Sequence, residues 1–124
     1  MKALSSLFIV AALAAGPVYA ACSYPKAPAQ MPDGASATLE QMVAAQKAVK
    51  AYNDEIKAYT DCLKLEHDTT VAKEGDKLTK EQKEEMEKMQ VQKNNAAVDE
   101  AESVTARFNE QVKAFKSKND KSKS

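Results

Sequence analysis

The chain has 124 residues, of which 6% are aromatic and none is tryptophan. A chain of this length forms one small domain, and few large side chains are available to line a deep pocket. Its 18 basic residues balance its 18 acidic ones, so the strongly basic charge of a dedicated nucleic-acid-binding protein is missing. Nucleic acid is therefore not the expected partner.

Residues 1–20 have the parts of a secretory signal peptide. Lys2 gives a positive start, a mostly apolar run covers 3–15, and small residues precede a cleavage point near Ala20 and Ala21. The apolar run is shorter than the roughly 20 residues that span a bilayer. We therefore expect cleavage and a periplasmic or secreted protein, rather than a membrane span.

The chain has two cysteines, Cys22 and Cys62. In an oxidising compartment, two cysteines more often form a disulfide than a metal pair or a catalytic thiol. We expect this bond within one chain, although the sequence leaves open a bond between two chains. A lipid on Cys22 is a further alternative. It is disfavoured because Tyr19 stands where bacterial lipoproteins usually carry an aliphatic residue.

Residues 21–37 form an arm with three prolines, which favour an extended backbone. The sixteen steps from Cys22 to Thr38 span up to about 50 Å in the polyproline form. A helix from Thr38 to Cys62 rises only about 36 Å. The arm is therefore long enough to run back along the first helix to Cys62, with a reversing turn at 32–34.

The first helix is predicted over about 38–68. Thr38 and Gln41 fit a capping box, and apolar or small residues follow at alternating steps of three and four. This stripe consists of Met42, Ala45, Val49, Tyr52, Ile56, Tyr59 and Leu63. Residues 69–78 contain Gly75 and show no periodicity, so they are predicted to be a connector.

The second helix is predicted over about 80–116, and Thr79 and Gln82 form its capping box. Its predicted stripe consists of Val91, Asn94, Val98, Ala101, Thr105, Phe108, Val112 and Phe115. Residues 117–124 are rich in lysine and are predicted to be a disordered tail. Contact of this tail with anionic envelope polymers is a weaker hypothesis.

These elements predict an all-α fold, an antiparallel helical hairpin over 38–116 with the arm packed along helix 1. Two helices alone bury little surface and need further support. A disulfide that closes a loop of about 41 residues stabilises by roughly 4 kcal/mol in the chain-entropy model. The arm, held by this disulfide, is therefore expected to pack as a third layer on the two helices.

The sequence carries no recognisable catalytic, cofactor or metal motif. His67 lies between Glu66 and Asp68 without the ligand spacing of a known metal site. Nucleophilic catalysis needs a base beside a Ser, Thr or Cys, and this single histidine has no partner motif. We therefore expect no enzymatic activity, no cofactor and no bound metal.

Two resemblances rest on short motifs. Residues 22–65 resemble a group of short, uncharacterised exported proteobacterial proteins with a Cys- and Pro-rich arm, a group that brings no known activity. The residues concerned are Cys22, Tyr24, Pro25, Met31, Pro32, Asp33, Gly34, Thr38, Met42, Gln46, Val49, Lys50, Tyr52, Tyr59, Cys62 and Leu63. Separately, 78–82 is similar to the Leu-Thr-x-x-Gln motif of the periplasmic chaperones Spy and CpxP. That resemblance implies a helical surface that holds unfolded clients without ATP, although those chaperones fold four helices and dimerise.

The sequence thus favours a non-enzymatic exported structural or protein-interaction module, with a chaperone-like client holder as the alternative. Met86 and Met89 are the large apolar residues in the charged opening turns of helix 2, and the hairpin places them near Leu63. Flexible methionines suit an adaptable contact surface. These three residues are the predicted interaction surface, either for an exported protein partner or for a second copy.

Overall fold

A computed structural model describes residues 21–123. Two helices, α1 (Leu39–Glu74) and α2 (Lys80–Lys121), pack against each other as an antiparallel hairpin. The predicted all-α hairpin is confirmed. The signal peptide predicted for 1–20 lies outside the described residues, as does Ser124 at the end of the predicted tail.

Both helices begin at the predicted capping boxes. The Thr38 hydroxyl accepts a hydrogen bond from the Gln41 backbone N–H at 3.2 Å, and the Gln41 side chain accepts from the Thr38 N–H at 2.8 Å. Thr79 and Gln82 repeat this exchange at 3.1 and 2.8 Å. These bonds satisfy backbone donors that the first turn of a helix leaves without partners.

The connector is shorter than predicted. The helix α1 continues to Glu74, so the predicted end at 68 is wrong and only 75–79 join the helices. The β-branched residues after position 68 lower helix propensity by only a fraction of a kcal/mol each. One of them, Thr70, donates a hydrogen bond from its hydroxyl to the Glu66 carbonyl at 2.9 Å within the helix.

The predicted stripe of α1 is confirmed. Its larger members are buried, while Ala45 and Tyr59 are partly buried against the same core. The buried members are Met42, Val49, Tyr52, Ile56 and Leu63. Their spacing of three and four residues keeps them on one face of the helix.

The predicted stripe of α2 is partly wrong. Val91 and Val98 are 45% and 38% exposed, whereas Ala97 and Val104 are 0% and 1% exposed. Phe108 is buried as expected, and Ala101, Val112 and Phe115 are partly buried against the core, also as expected. The buried face of α2 is therefore rotated from the predicted one, toward the side on which the arm packs.

The arm lies in the groove between the helices, and a disulfide joins Cys22 to Cys62 as predicted. The ring of Tyr24 meets that of Tyr59 edge to face, with centroids 5.0 Å apart. Further along the arm, Ala27 and Met31 pack against the core and Ala37 is buried in it. The arm is therefore a third layer that covers the half of the groove away from the connector.

Gly34 lies against the backbone of α2. The arm turns at this point, where the Asp33 carbonyl accepts from the backbone N–H groups of Ser36 and Ala37 at 3.1 and 2.7 Å. A Cβ atom on Gly34 would lie 1.9 Å from the Gln111 carbonyl oxygen. Glycine is therefore required here because a backbone, rather than a movable side chain, fills the space.

The end of α2 is tied to the arm. Lys118 donates to the Ala37 carbonyl at 3.1 Å, and its ammonium lies 5.7 Å from the centre of the Phe115 ring. The helix continues to Lys121, so the tail predicted to be disordered over 117–124 is helical in its first five residues. Contacts with the arm offset the low apolar content on which that prediction rested.

No helix within residues 21–123 is both long and apolar enough to cross a membrane.

Candidate interaction surface

The groove between the helices has two halves, and the arm fills only one of them. The arm begins beside Cys62, where Cys22 Sγ lies 3.3 Å from a carboxylate oxygen of Glu66. Toward the connector, the groove continues as an open cavity of about 170 Å³. We name this cavity the connector groove. Its lining residues are Leu63, Glu66, His67, Thr70, Met86, Met89, Gln90 and Lys93.

The three residues predicted as an interaction surface all line the connector groove. Leu63 is 7% exposed and forms the floor, Met86 is half-buried, and Met89 is 47% exposed. They come together because the hairpin pairs the end of α1 with the beginning of α2. Thioether side chains with three rotatable bonds adapt their shape to an irregular partner.

Polar side chains surround this apolar floor. Glu66, His67 and Thr70 lie on α1, while Gln90 and Lys93 lie on α2. We did not predict a role for Glu66, Gln90 or Lys93, because charged and amide residues are common along both helices. Only the pairing of the two helices distinguishes the polar residues that face the groove from those that face away.

Three ion pairs follow one another at seven-residue spacing on the exposed face of α1. The pairs are Lys50–Asp54, Lys57–Asp61 and Lys64–Asp68. The Lys64 ammonium lowers the pKa of Asp68 below its usual value, and His67 lowers it to a smaller extent. Exposed pairs of this kind contribute little to stability, and their regular spacing fits a solvated helix face.

Within residues 21–123, no group of three or more His, Cys, Asp or Glu side chains is arranged to hold a metal ion. The nearest carboxylate contact of His67 joins Nδ1 to Asp68 Oδ1 at 3.5 Å. This contact is between sequence neighbours at the surface.

The geometry of the connector groove suits contact with another molecule through an apolar floor and a polar rim.

Tyr52 is the buried titratable group of the core. It is 2% exposed, and its hydroxyl has no hydrogen-bond partner among the described residues. Burial, and to a smaller extent the neighbouring Tyr24 hydroxyl, raises the pKa of the Tyr52 phenol from 10.0 to about 12. The core therefore favours the neutral phenol.

We predict that Tyr52 weakens the fold in alkali. The phenol ionises near pH 10 in the unfolded chain but keeps its proton to about pH 12 in the fold. Its contribution is intact below pH 10, and the free energy of unfolding falls by about 1.4 kcal/mol per pH unit between these values. The measurement is urea denaturation from pH 8 to 12.

A Tyr52→Phe variant should lose this part of the pH dependence, and at pH 8 it should be as stable as the wild type because it removes an unpaired buried hydroxyl. A Tyr59→Phe variant keeps that hydroxyl and should retain the wild-type slope. Lysines also titrate in this range, so the difference between variants is the relevant quantity. Equal slopes for wild type and Tyr52→Phe would contradict the assignment.

No protein family, curated protein or solved structure matches the chain.

Proposed function

We propose that this protein is a non-enzymatic, exported interaction module that binds a partner protein, or a second copy of itself, at the connector groove. The observation that carries this proposal is the convergence of Leu63, Met86 and Met89 around one cavity. Leu63 lies in the second half of α1, and the two methionines lie in the opening turns of α2. The fold brings them together at a place where neither the arm nor the connector covers them.

The connector groove has the composition of a protein interface. Its floor is apolar and its rim carries Glu66, Thr70 and Lys93, an arrangement found where a desolvated centre is surrounded by solvated polar groups. Elsewhere on the same side of the hairpin, the arm already occupies the groove. The connector half therefore offers the unfilled part of an existing packing surface.

Export is part of the same proposal. A disulfide such as Cys22–Cys62 is typical of proteins in oxidising compartments. Residues 1–20 supply the signal peptide pattern that would direct the chain there. The proposed location is the periplasm or the extracellular medium.

A second candidate function is ATP-independent holding of unfolded clients, as the similarity of 78–82 to Spy and CpxP implies. The observation in its favour is that the arm shows an extended chain seated between these helices. Aggregation assays distinguish the two functions. A client holder suppresses aggregation of unrelated unfolded proteins, whereas an interaction module captures a defined partner at fixed stoichiometry.

We predict that the double variant Met86→Lys, Met89→Lys loses binding and keeps its fold. Two ammonium groups would have to be desolvated at the centre of the interface, which should weaken association at least about tenfold. Both positions are accessible in the free protein, so helix content by circular dichroism should stay unchanged. Capture of proteins from the exported fraction and sedimentation velocity measure the two forms of binding.

The matched control is the double variant Val91→Lys, Val98→Lys, which places the same charges at exposed positions of the same helix. Val91 and Val98 do not line the connector groove. This control should bind as the wild type does. Unchanged yield of the same partners, and unchanged self-association, in the methionine variant would defeat the site assignment.

A further inference from the structure

The arm is held at its two ends by different kinds of bond. At the turn end, the Gly34 N–H donates to the Gln111 side chain at 2.9 Å, and the Lys118 ammonium donates to a backbone carbonyl of the arm at 3.1 Å. At the other end, the disulfide between Cys22 and Cys62 is the attachment. The turn end is thus fixed by hydrogen bonds, whereas the other end depends on a covalent bond that thiols can break.

Between these ends, the arm rests on the helices through its side chains. The ring of Tyr24 meets that of Tyr59, and Ala27 and Met31 pack against the core. Within residues 21–123, no hydrogen bond joins the backbone of 23–32 to either helix. Ordering an extended segment costs conformational entropy at every residue. This segment therefore depends on the disulfide to stay in place.

The disulfide lies where a second thiol can approach it. Cys22 and Cys62 are half-buried, and both line a cavity of about 460 Å³ next to Ala21. Cys62 also lines a second cavity of about 320 Å³, beside Ser23 and Pro25. Access is one of the factors that set the rate of thiol–disulfide exchange. The position of this bond therefore favours exchange.

A carboxylate lies beside the same bond. One oxygen of Glu66 is 3.3 Å from Cys22 Sγ. In thiol–disulfide exchange, the attacking and departing sulfurs both carry negative charge. A carboxylate at this distance opposes that charge, so Glu66 slows the opening of the disulfide.

We propose that the Cys22–Cys62 disulfide is a reducible latch on the arm, opened by a dithiol reductant at a rate that Glu66 limits. One thiolate of the reductant attacks a sulfur of the bond and forms a mixed disulfide, while the other sulfur leaves as a thiolate and takes up a proton. The second thiolate of the reductant then breaks the mixed disulfide. Two electrons and two protons pass to the protein, and the reductant leaves as a disulfide. Residues 22–32 then detach, while the turn at 33–37 stays bonded and the hairpin stays folded.

Opening the latch changes the surface of the hairpin. Detachment uncovers Tyr59 and the part of the core beneath the arm. The uncovered half of the groove is continuous with the connector groove, because Glu66 lies beside Cys22 and also lines that groove. The latch does not require a ligand in the connector groove, so its test is independent of the proposed function.

Trypsin measures release of the arm, because Lys26 is the only lysine or arginine in 21–37. We expect reduction of the purified wild type with dithiothreitol to speed cleavage after Lys26 at least about tenfold, as followed by mass spectrometry. In the reduced protein, this cleavage should also be at least about tenfold faster than cleavage after Lys93, within α2. The double variant Cys22→Ser, Cys62→Ser should behave as the reduced wild type does, with or without reductant.

Equal cleavage rates after Lys26 and Lys93 in the reduced protein would show that the whole hairpin unfolds, and would overturn the latch. An unchanged rate after Lys26 on reduction would overturn it as well.

The role of Glu66 is tested by the rate of reduction. Glu66→Gln should be reduced by dithiothreitol about threefold faster than the wild type at low ionic strength, and this difference should shrink at high salt. The matched control Glu110→Gln removes the same charge from an exposed position of α2, beyond the Asn53–Thr105 hydrogen bond and remote from the disulfide. It should be reduced at the wild-type rate. Equal rates for Glu66→Gln and the wild type, or equal acceleration in both variants, would refute the role of Glu66.

Discussion

Replacing Val104 by aspartate should unfold the protein. Val104 is 1% exposed and belongs to the core cluster between the helices and the arm. The substitution removes an apolar side chain from that cluster and places a carboxylate there without a partner, a change expected to cost at least about 4 kcal/mol. Domains of this size have a free energy of unfolding near the lower end of about 5–15 kcal/mol. Loss of the cooperative thermal transition by circular dichroism is the expected result.

The same substitution at Val98 is the matched control. Val98 is 38% exposed on the same helix, so a carboxylate there stays in water and the cost should be about 1 kcal/mol or less. The sequence pattern predicted the opposite ranking of these two valines. A stable Val104→Asp variant, or an unfolded Val98→Asp variant, would show that α2 is rotated from the orientation described above.

Removing the Cys22–Cys62 disulfide should have the second large effect on stability. The double variant Cys22→Ser, Cys62→Ser opens a loop of about 41 residues, which costs about 4 kcal/mol in the chain-entropy model. The midpoint of urea denaturation should fall accordingly. Addition of a thiol reductant should destabilise the wild type to the same level and leave the double variant unchanged, which separates loss of the bond from any effect of the serines.

Hydrogen exchange should then show where the arm is released. In the double variant, the amides of 23–31 should gain exchange because Cys22 no longer holds this segment. The amides of Gly34 and Ala37 should keep more protection, since they bond to Gln111 and to the turn carbonyl of Asp33. Unchanged stability of the double variant would contradict the intramolecular disulfide, as would a wild-type protein that migrates mainly as a covalent dimer on a non-reducing gel.

The sequence was sufficient to predict the hairpin and α1 because their signals are local. The capping boxes at Thr38 and Thr79 depend on side chains three residues apart, and both form as predicted. The stripe of α1 repeats without competition from a second apolar stripe. Its residues therefore face the core whichever other element packs beside them.

The orientation of α2 could not be predicted in the same way, because two interleaved stripes cross this helix. One contains Val98 and the other contains Ala97 and Val104. The arm decides between them, since it packs along the side of α2 that carries Gln111 and Lys118. Val104 is buried in the core cluster that also contains Ala37 of the arm, while Val98 lines a cavity on the other side of the helix pair that no arm residue lines. The arm is not helical, so its packing against α2 cannot be predicted from the spacing of apolar residues along α2.

The candidate site was predictable in its apolar part only. A hairpin places the end of its first helix beside the beginning of its second, so Leu63, Met86 and Met89 had to lie close together. The polar rim depends on the rotation of both helices. Gln90 and Lys93 line the groove only because the two helices pack in this orientation.

Site-specific photo-cross-linking tests the central claim most directly, namely that the connector groove is where this protein binds its partner. A benzophenone side chain is placed at Met89 or, separately, at Val98, which are 47% and 38% exposed on the same helix. After irradiation in cells that express the protein, we predict a discrete cross-linked species, with a partner or a second copy, from the Met89 position and none from the Val98 position. Equal cross-linking at both positions, or cross-linking from Val98 alone, would contradict the account.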